Sequence, residues 1–146
     1  MPRETSAGVI IFQNEKQDRK YLLLHYPEGH WDFAKGKIEQ GETEEETAKR
    51  EAAEEAGITQ LQFIPGFKEK ISWFFRRDGV TIYKEATFFL AMTKQKEVKL
   101  SYEHKGFTWL PFEEAAEKVT YKNAKELLKK AEQFLQKKRE QLQKYL

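Results

Sequence analysis

The chain has 146 residues, 26 basic and 24 acidic, so a charged fraction of 34% leaves a formal net charge of only +2. That length predicts one domain, residues 1–146, able to bury roughly 70% of its unfolded surface without staples. Aromatic content of 14% with near-balanced charge excludes the disordered class despite a mean hydropathy of −0.82.

The balance lacks the one-sided field of a dedicated nucleic-acid binder, so no stable nucleic-acid partner is expected. Zero cysteines exclude a disulfide framework, a thiolate metal site and a cysteine nucleophile. The first 30 residues lack a signal-peptide pattern, and no apolar run approaches the ~20 residues that span a bilayer. A cytoplasmic protein with no membrane partner is therefore expected, and as a monomer. The near-neutral total hides two clusters: residues 36–57 hold eight Glu against three basic residues, a sum of −5, and residues 122–146 hold eight basic against three Glu, a sum of +5.

Taken in order, Thr5 to Phe12 reads as a strand of small and β-branched residues. The polar run Asn14 to Lys20 reads as a turn into a second strand, Tyr21 to Tyr26, and the two form a hairpin. After Pro27-Glu28-Gly29 comes the aromatic stretch His30-Trp31-Asp32-Phe33, then a loop with Gly36 and Gly41. Thr43 followed by Glu46 is a capping box and Gly57 a C-terminal stop, so residues 43–56 are predicted helical. The apolar face of that helix is Ala48, Ala52 and Ala56. Gln62 to Phe75 and Val80 to Met92 are two long strands joined at Asp78-Gly79, a strong hairpin signal. Gly106 to Leu110 is a shorter strand, and Pro111 starts a short helix through Glu117. From about residue 123 to 145 the apolar positions Ala124, Leu127, Leu128, Ala131, Phe134, Leu135, Leu142 and Tyr145 follow a helical period, with Asn123 and Glu126 as its cap. The expected fold class is α/β or α+β: a mixed sheet with helices on either side.

Chemistry concentrates in Gly36-Lys37-Ile38-Glu39-Gln40-Gly41-Glu42 and Arg50-Glu51-Ala52-Ala53-Glu54-Glu55-Ala56-Gly57-Ile58. On a helix, Glu51, Glu54 and Glu55 stand at i, i+3 and i+4 and share one face. With an effective dielectric near 20 and carboxylates about 6 Å apart, each pair costs on the order of 2–3 kcal/mol before relaxation. A divalent cation removes that repulsion. Oxygen donors without His or Cys suit Mg²⁺, with Mn²⁺ as the alternative, rather than zinc.

The spacing G-x5-E-x7-R-E-U-x-E-E-x-G-U, with U small or apolar, is met at every fixed position over residues 36–58. The chain thereby resembles the Nudix hydrolases. That resemblance implies an α/β/α sandwich, hydrolysis of a nucleoside diphosphate linked to another group, Glu51, Glu54 and Glu55 as metal ligands, and a Gly36 carbonyl as a further ligand. It also implies that Arg50 orients the box through an ion pair to Glu42.

Outside the box, Ser6-Ala7-Gly8-Val9-Ile10-Ile11-Phe12, His30-Trp31, Gly66-Phe67-Lys68 and Leu100-Ser101-Tyr102-Glu103-His104 leading to Trp109-Leu110 are similar to the asymmetric diadenosine tetraphosphate (Ap4A) hydrolases. Asp32-Phe33-Ala34 departs from the proline pair of animal and plant members. This similarity implies cleavage of the dinucleotide to ATP and AMP, with His30, Lys35 and Lys84 on the polyphosphate and Trp73 and Tyr121 stacking an adenine. Phe74 could exchange roles with Trp73, since alternation puts one of them on the site face. Glu103 is the outside carboxylate expected as extra metal ligand or water-activating base, alongside Glu51 or Glu54. His104 carries a weaker signal, and His25, inside an apolar strand, reads as structural. Two other activities share the chemistry: clearance of nucleoside triphosphates and attack on RNA 5′ ends. A reading of another class is a non-catalytic module that senses nucleotides or RNA.

Overall fold

The computed structural model describes residues 1–15 and 18–143. Among these described residues seven strands and three helices follow in the order β1 (Arg3–Glu15), β2 (Asp18–His25), β3 (Trp31–Asp32), β4 (Ala34–Lys37), α1 (Glu44–Ala56), β5 (Gln62–Arg77), β6 (Val80–Met92), β7 (Gly106–Pro111), α2 (Phe112–Lys118) and α3 (Lys122–Gln143). The strands make one mixed sheet whose main path runs β3-β2-β1-β6-β5, with β4 paired to β1 and β7 to β2. The β1–β2 pair is antiparallel and β1–β6 parallel, in register from Arg3 opposite Tyr83 to Phe12 opposite Met92. Among the described residues no helix is long and apolar enough to cross a membrane.

Alternation along β1 splits the core into two layers, as period-2 side chains on a doubly covered sheet require. Ile10 and Phe12 point to the side of α2 and α3, where they meet Leu23, Phe88, Leu127 and Leu128. Val9 and Ile11 point to α1 and meet Ala48, Ala52 and Ala56, all three fully buried. Burying a leucine such as Leu127 or Leu128 contributes roughly 1.5–3 kcal/mol. Because the α1 stripe is alanine, the helix axis lies close to the sheet and its acidic face is carried close to β4.

Both ends of α1 are defined by local chemistry. Thr43 is the N-cap, its hydroxyl accepting from the Glu46 N–H at 3.1 Å while the Glu46 carboxylate accepts from the Thr43 N–H at 2.9 Å. The expected range 43–56 is thus a helix of 44–56 with Thr43 as its cap. Gly57 takes φ 66°, and the Gly57 and Ile58 N–H groups close onto the Ala53 and Ala52 carbonyls. The segment after β6 closes two more carbonyls: Lys99 N–H bonds Ala56 O at 2.8 Å and Ser101 N–H bonds Glu55 O at 3.1 Å.

Three expectations are corrected. The segment after Phe33 is a strand, β4, where the sequence reads as loop; it pairs Ala34–Lys37 against Val9–Ser6 of β1. A side chain at Gly8 would meet the Ala34 carbonyl and Lys35 Cβ, so the glycine is what admits β4. Asn123 lies inside α3, which begins at Lys122, and the first turn closes from the Lys125 N–H to the Tyr121 carbonyl, so Asn123 is not its cap. Pro111 precedes α2 rather than occupying its first turn. The Asp78-Gly79 turn is as expected, with φ of 52° and 76°, both left-handed as a two-residue hairpin turn needs. The expected β1–β2 turn falls partly on residues 16–17, and Tyr145 at the end of the last helix also lies outside the described residues.

Candidate active site

Glu42 anchors the site. Its carboxylate accepts from Arg50 Nε at 2.7 Å and Arg50 Nη2 at 3.0 Å, and also from the Thr47 hydroxyl and the Glu39 N–H. The bonds to Arg50, foremost, hold it down at about 2, well below the ordinary carboxylate range. With its fork engaged, Arg50 spends its remaining donors on Glu51 at 2.8 Å, Glu54 at 3.3 Å and the Lys37 carbonyl at 2.9 Å. One guanidinium therefore ties the loop, the end of β4 and two carboxylates of α1 together.

The three α1 carboxylates differ in burial. Glu54 is 59% exposed, whereas the side chains of Glu51 and Glu55 are 13% and 12% exposed. Glu51 lies against Gly36, where an added Cβ would fall on the carboxylate itself. Burial pushes the Glu51 carboxyl up, partly offset by Arg50. Glu55 is pushed up to about 8, chiefly by burial and further by Glu51, against the Lys35 N–H that bonds its Oε1 at 2.9 Å. The Tyr26 hydroxyl donates to the Phe33 carbonyl at 2.6 Å and stands 3.4 Å from the same Glu55 oxygen.

Among the described residues no three acidic or imidazole side chains converge to hold an ion as they stand, and Glu51 and Glu54 are both bonded to Arg50. The donor chemistry nonetheless fits a hard divalent cation. Two carboxylates are buried at a cost that a cation would offset, the ligating atoms are all oxygen, and Gly36 leaves room for the Glu51 head group.

Beside this cluster opens a cleft of about 660 Å³ between β3–β4, the β5–β6 hairpin and the start of α3. All five expected substrate residues, His30, Lys35, Trp73, Lys84 and Tyr121, line it. Lys35 joins the two regions, its backbone N–H on Glu55 and its side chain in the cleft. Of Trp73 and Phe74, Trp73 lines the cleft, while Phe74 is 61% exposed and packs on Tyr83 at 5.2 Å between ring centres. Lys84 Nζ lies 5.7 Å from the ring centres of both Trp73 and Phe75, and burial with the nearby Lys35 charge lowers its pKa. Tyr26, His30 and Tyr121 form an aromatic column on another wall, His30 stacked on Tyr26 at 4.8 Å and 5.3 Å from Tyr121. Burial and Lys35 lower the His30 pKa.

Glu103 is exposed, and its backbone N–H reaches Ser101 Oγ at 3.3 Å. Its neighbour His104 is the residue placed against the cluster, Nε2 standing 3.1 Å from Glu55 Oε2. His25 stacks on Trp31 at 4.4 Å with parallel planes, a structural contact. Sequence reasoning missed Tyr26, Phe75 and Arg77 as parts of the site. Phase along β5 could have found two of them, since Trp73, Phe75 and Arg77 alternate onto one face. Nothing local marked Tyr26.

A match to the NUDIX domain spans residues 2–131. The chain is 36% identical to the mouse (Mus musculus) asymmetrical bis(5′-nucleosyl)-tetraphosphatase, over 89% of this chain and 94% of that protein. It is 26% identical to an RNA pyrophosphohydrolase of Sulfurovum sp., over 82% of this chain and 83% of the relative. Among solved structures, a C. elegans Ap4A hydrolase binary complex superposes with a TM-score of 0.76 at 31% identity, covering 90% and 97% of the two chains. Enzymes of this kind act on small nucleotide substrates and generally use a divalent metal. With the complete box over residues 36–58, the matched domain and these relatives, the chain belongs to the Nudix hydrolase family.

Proposed function

We propose that this protein hydrolyses diadenosine tetraphosphate asymmetrically, to ATP and AMP, with Mg²⁺. One observation carries the reading: all five expected substrate residues line one cleft, and one of them, Lys35, ties that cleft to the carboxylate cluster of α1 through its N–H on Glu55. The similarity to asymmetrical tetraphosphatases along nearly the whole chain supports the same substrate.

Glu51, Glu54 and Glu55, with the Gly36 carbonyl, would hold the cation, and Arg50 keeps the first two in place. When bound, the cation offsets phosphate charge and acidifies water. Lys35, Lys84 and His30 face the chain of phosphates and favour the charge that spreads over its oxygens in the transition state. Trp73 and Tyr121 take one adenine by stacking, worth about 1–3 kcal/mol per base. Glu103, exposed on the segment that ends at His104, is the carboxylate we assign to take the proton from water, and the leaving group is a nucleotide. Water adds across one phosphoanhydride bond, so Ap4A and H₂O give ATP and AMP.

The test is incubation with Ap4A and Mg²⁺ and separation of the products for wild type, Glu54→Gln and Glu103→Gln. ATP and AMP in equal amounts are expected from wild type, with large losses in both variants. Two ADP, or pyrophosphate released only from nucleoside triphosphates or RNA 5′ ends, would assign the protein to another reaction. Binding without turnover would make it a sensor. Full activity in Glu54→Gln would overturn the mechanism.

A further inference from the structure

His104 is buried to 3% side-chain exposure, yet its two ring nitrogens meet very different partners. Nδ1 lies 2.8 Å from Ser101 Oγ. Nε2 lies 3.1 Å from Glu55 Oε2 but off the line of a hydrogen bond, and among the described residues it finds no bonded partner. The ring is also held on its flank by Tyr26, whose ring meets it edge-on at 4.7 Å.

The partners choose the tautomer. Ser101 Oγ accepts the Glu103 N–H at 3.3 Å, which leaves its own hydrogen to donate to Nδ1. Nδ1 then has no proton and Nε2 carries the N–H. The opposite tautomer would aim an Nε2 lone pair at a carboxylate oxygen and leave the serine hydroxyl without its acceptor. With Glu55 ionised, as a cation ligand must be, a small rotation of its carboxylate brings Oε2 onto the Nε2–H.

Glu55 is then gripped from two sides. Oε1 receives the Lys35 N–H at 2.9 Å and Oε2 faces His104. The backbone supplies the third constraint: Ser101 N–H bonds the Glu55 carbonyl at 3.1 Å, so the segment that carries His104 is fastened to the same residue its imidazole faces. Such an arrangement limits the rotamers of a ligand before the cation arrives, the function of an outer partner that orients a ligating side chain.

We infer that His104, with its proton fixed on Nε2 by Ser101, is a positioning residue that orients Glu55 for the divalent cation. This rests on Glu55 being a ligand, as proposed above. His104 acts through Glu55 and takes no proton in the reaction.

The experiment is Mn²⁺ binding to the full-length protein, followed by electron paramagnetic resonance, for wild type, His104→Ala, His104→Gln and Ser101→Ala. His104→Ala is expected to weaken Mn²⁺ binding on the order of 10- to 100-fold. His104→Gln, whose amide can place an N–H where Nε2 stood, is expected to stay within about 3-fold of wild type, and Ser101→Ala to fall between. In steady state with Mg²⁺, His104→Ala should lower kcat while KM for the dinucleotide holds. Imidazole ¹⁵N shifts of wild type with Mg²⁺ should show the proton on Nε2, a readout that survives if His104→Ala does not fold. A proton on Nδ1, or Mn²⁺ binding as tight in His104→Ala as in wild type, overturns the proposal alone. A wild type that takes up no Mn²⁺ overturns the ligand reading of Glu55 and this proposal with it.

Discussion

The carboxylate of Glu51 stands over Gly36 so closely that a methyl group on that glycine would occupy the space of the carboxylate itself. The contact joins β4 to α1 and explains why the first glycine of the box must be glycine although its backbone lies in a strand. Gly36→Ala therefore has to displace Glu51 or part β4 from the helix. An overpacked site of this kind costs about 1–3 kcal/mol. The expected outcome is a lowered melting temperature with a loss of activity of about 100-fold or more, measured as kcat alongside thermal unfolding. Activity near wild type would show that Glu51 is not held where the chemistry needs it.

Arg50 donates to Glu42, Glu51, Glu54 and the Lys37 carbonyl with one planar fork. Lysine has a point charge and cannot span those acceptors together. Arg50→Lys should reduce activity on the order of 10- to 100-fold with a higher requirement for divalent cation. A titration of activity against Mg²⁺ checks it.

Trp73 lines the cleft and Phe74 turns away onto Tyr83. Trp73→Ala should raise KM for a dinucleotide about 10- to 100-fold, since a stacked base is worth ~1–3 kcal/mol. Phe74→Ala should leave KM within about 2-fold. Reversal of the two results would mean that the hairpin presents its other face to substrate.

Glu55, pushed up to about 8 by burial, gives a pH dependence of definite sign. Its folded pKa lies above the unfolded value, so folding takes up a proton. The contribution of Glu55 to the stability of cation-free protein is then fully present below the unfolded value and is lost as pH rises through about 8. Binding of a divalent cation must expel the same proton. The Glu55 contribution should lower the melting temperature without metal between about pH 5 and pH 8, with a slope near one proton taken up on folding at about pH 6 that levels off above pH 8. Added Mg²⁺ should raise it more at the upper end, and calorimetry in buffers of different ionisation enthalpy should record proton release near neutral pH. No proton release on binding would remove Glu55 from the ligand set.

The helix of the box is legible from residues near one another in the chain. Thr43 and Glu46 are three apart, Ala48, Ala52 and Ala56 four apart, and Gly57 closes the end, so each signal lies within a few turns of backbone. The long hairpin is equally local, since Asp78 and Gly79 alone impose a turn whose hand matches the strand twist. β4 is not legible: four residues with a glycine among them show no alternation, and the strand exists only because Gly8 admits it beside β1. His104 and Glu103 are adjacent in sequence. Which of the two faces Glu55 is set where the Ser101 N–H closes the end of α1: His104 turns inward and Glu103 is exposed.

The sequence by itself determined the family chemistry: an acidic helix face, its orienting arginine and the glycines that frame it, because spacing along a helix converts directly into a shared surface. Only the tertiary structure decided which of Trp73 and Phe74 meets the cleft, how Lys35 links cleft to carboxylates, and that His104 faces Glu55. Those relationships join residues far apart in the chain or depend on which face of the sheet is covered, and no local periodicity carries that information.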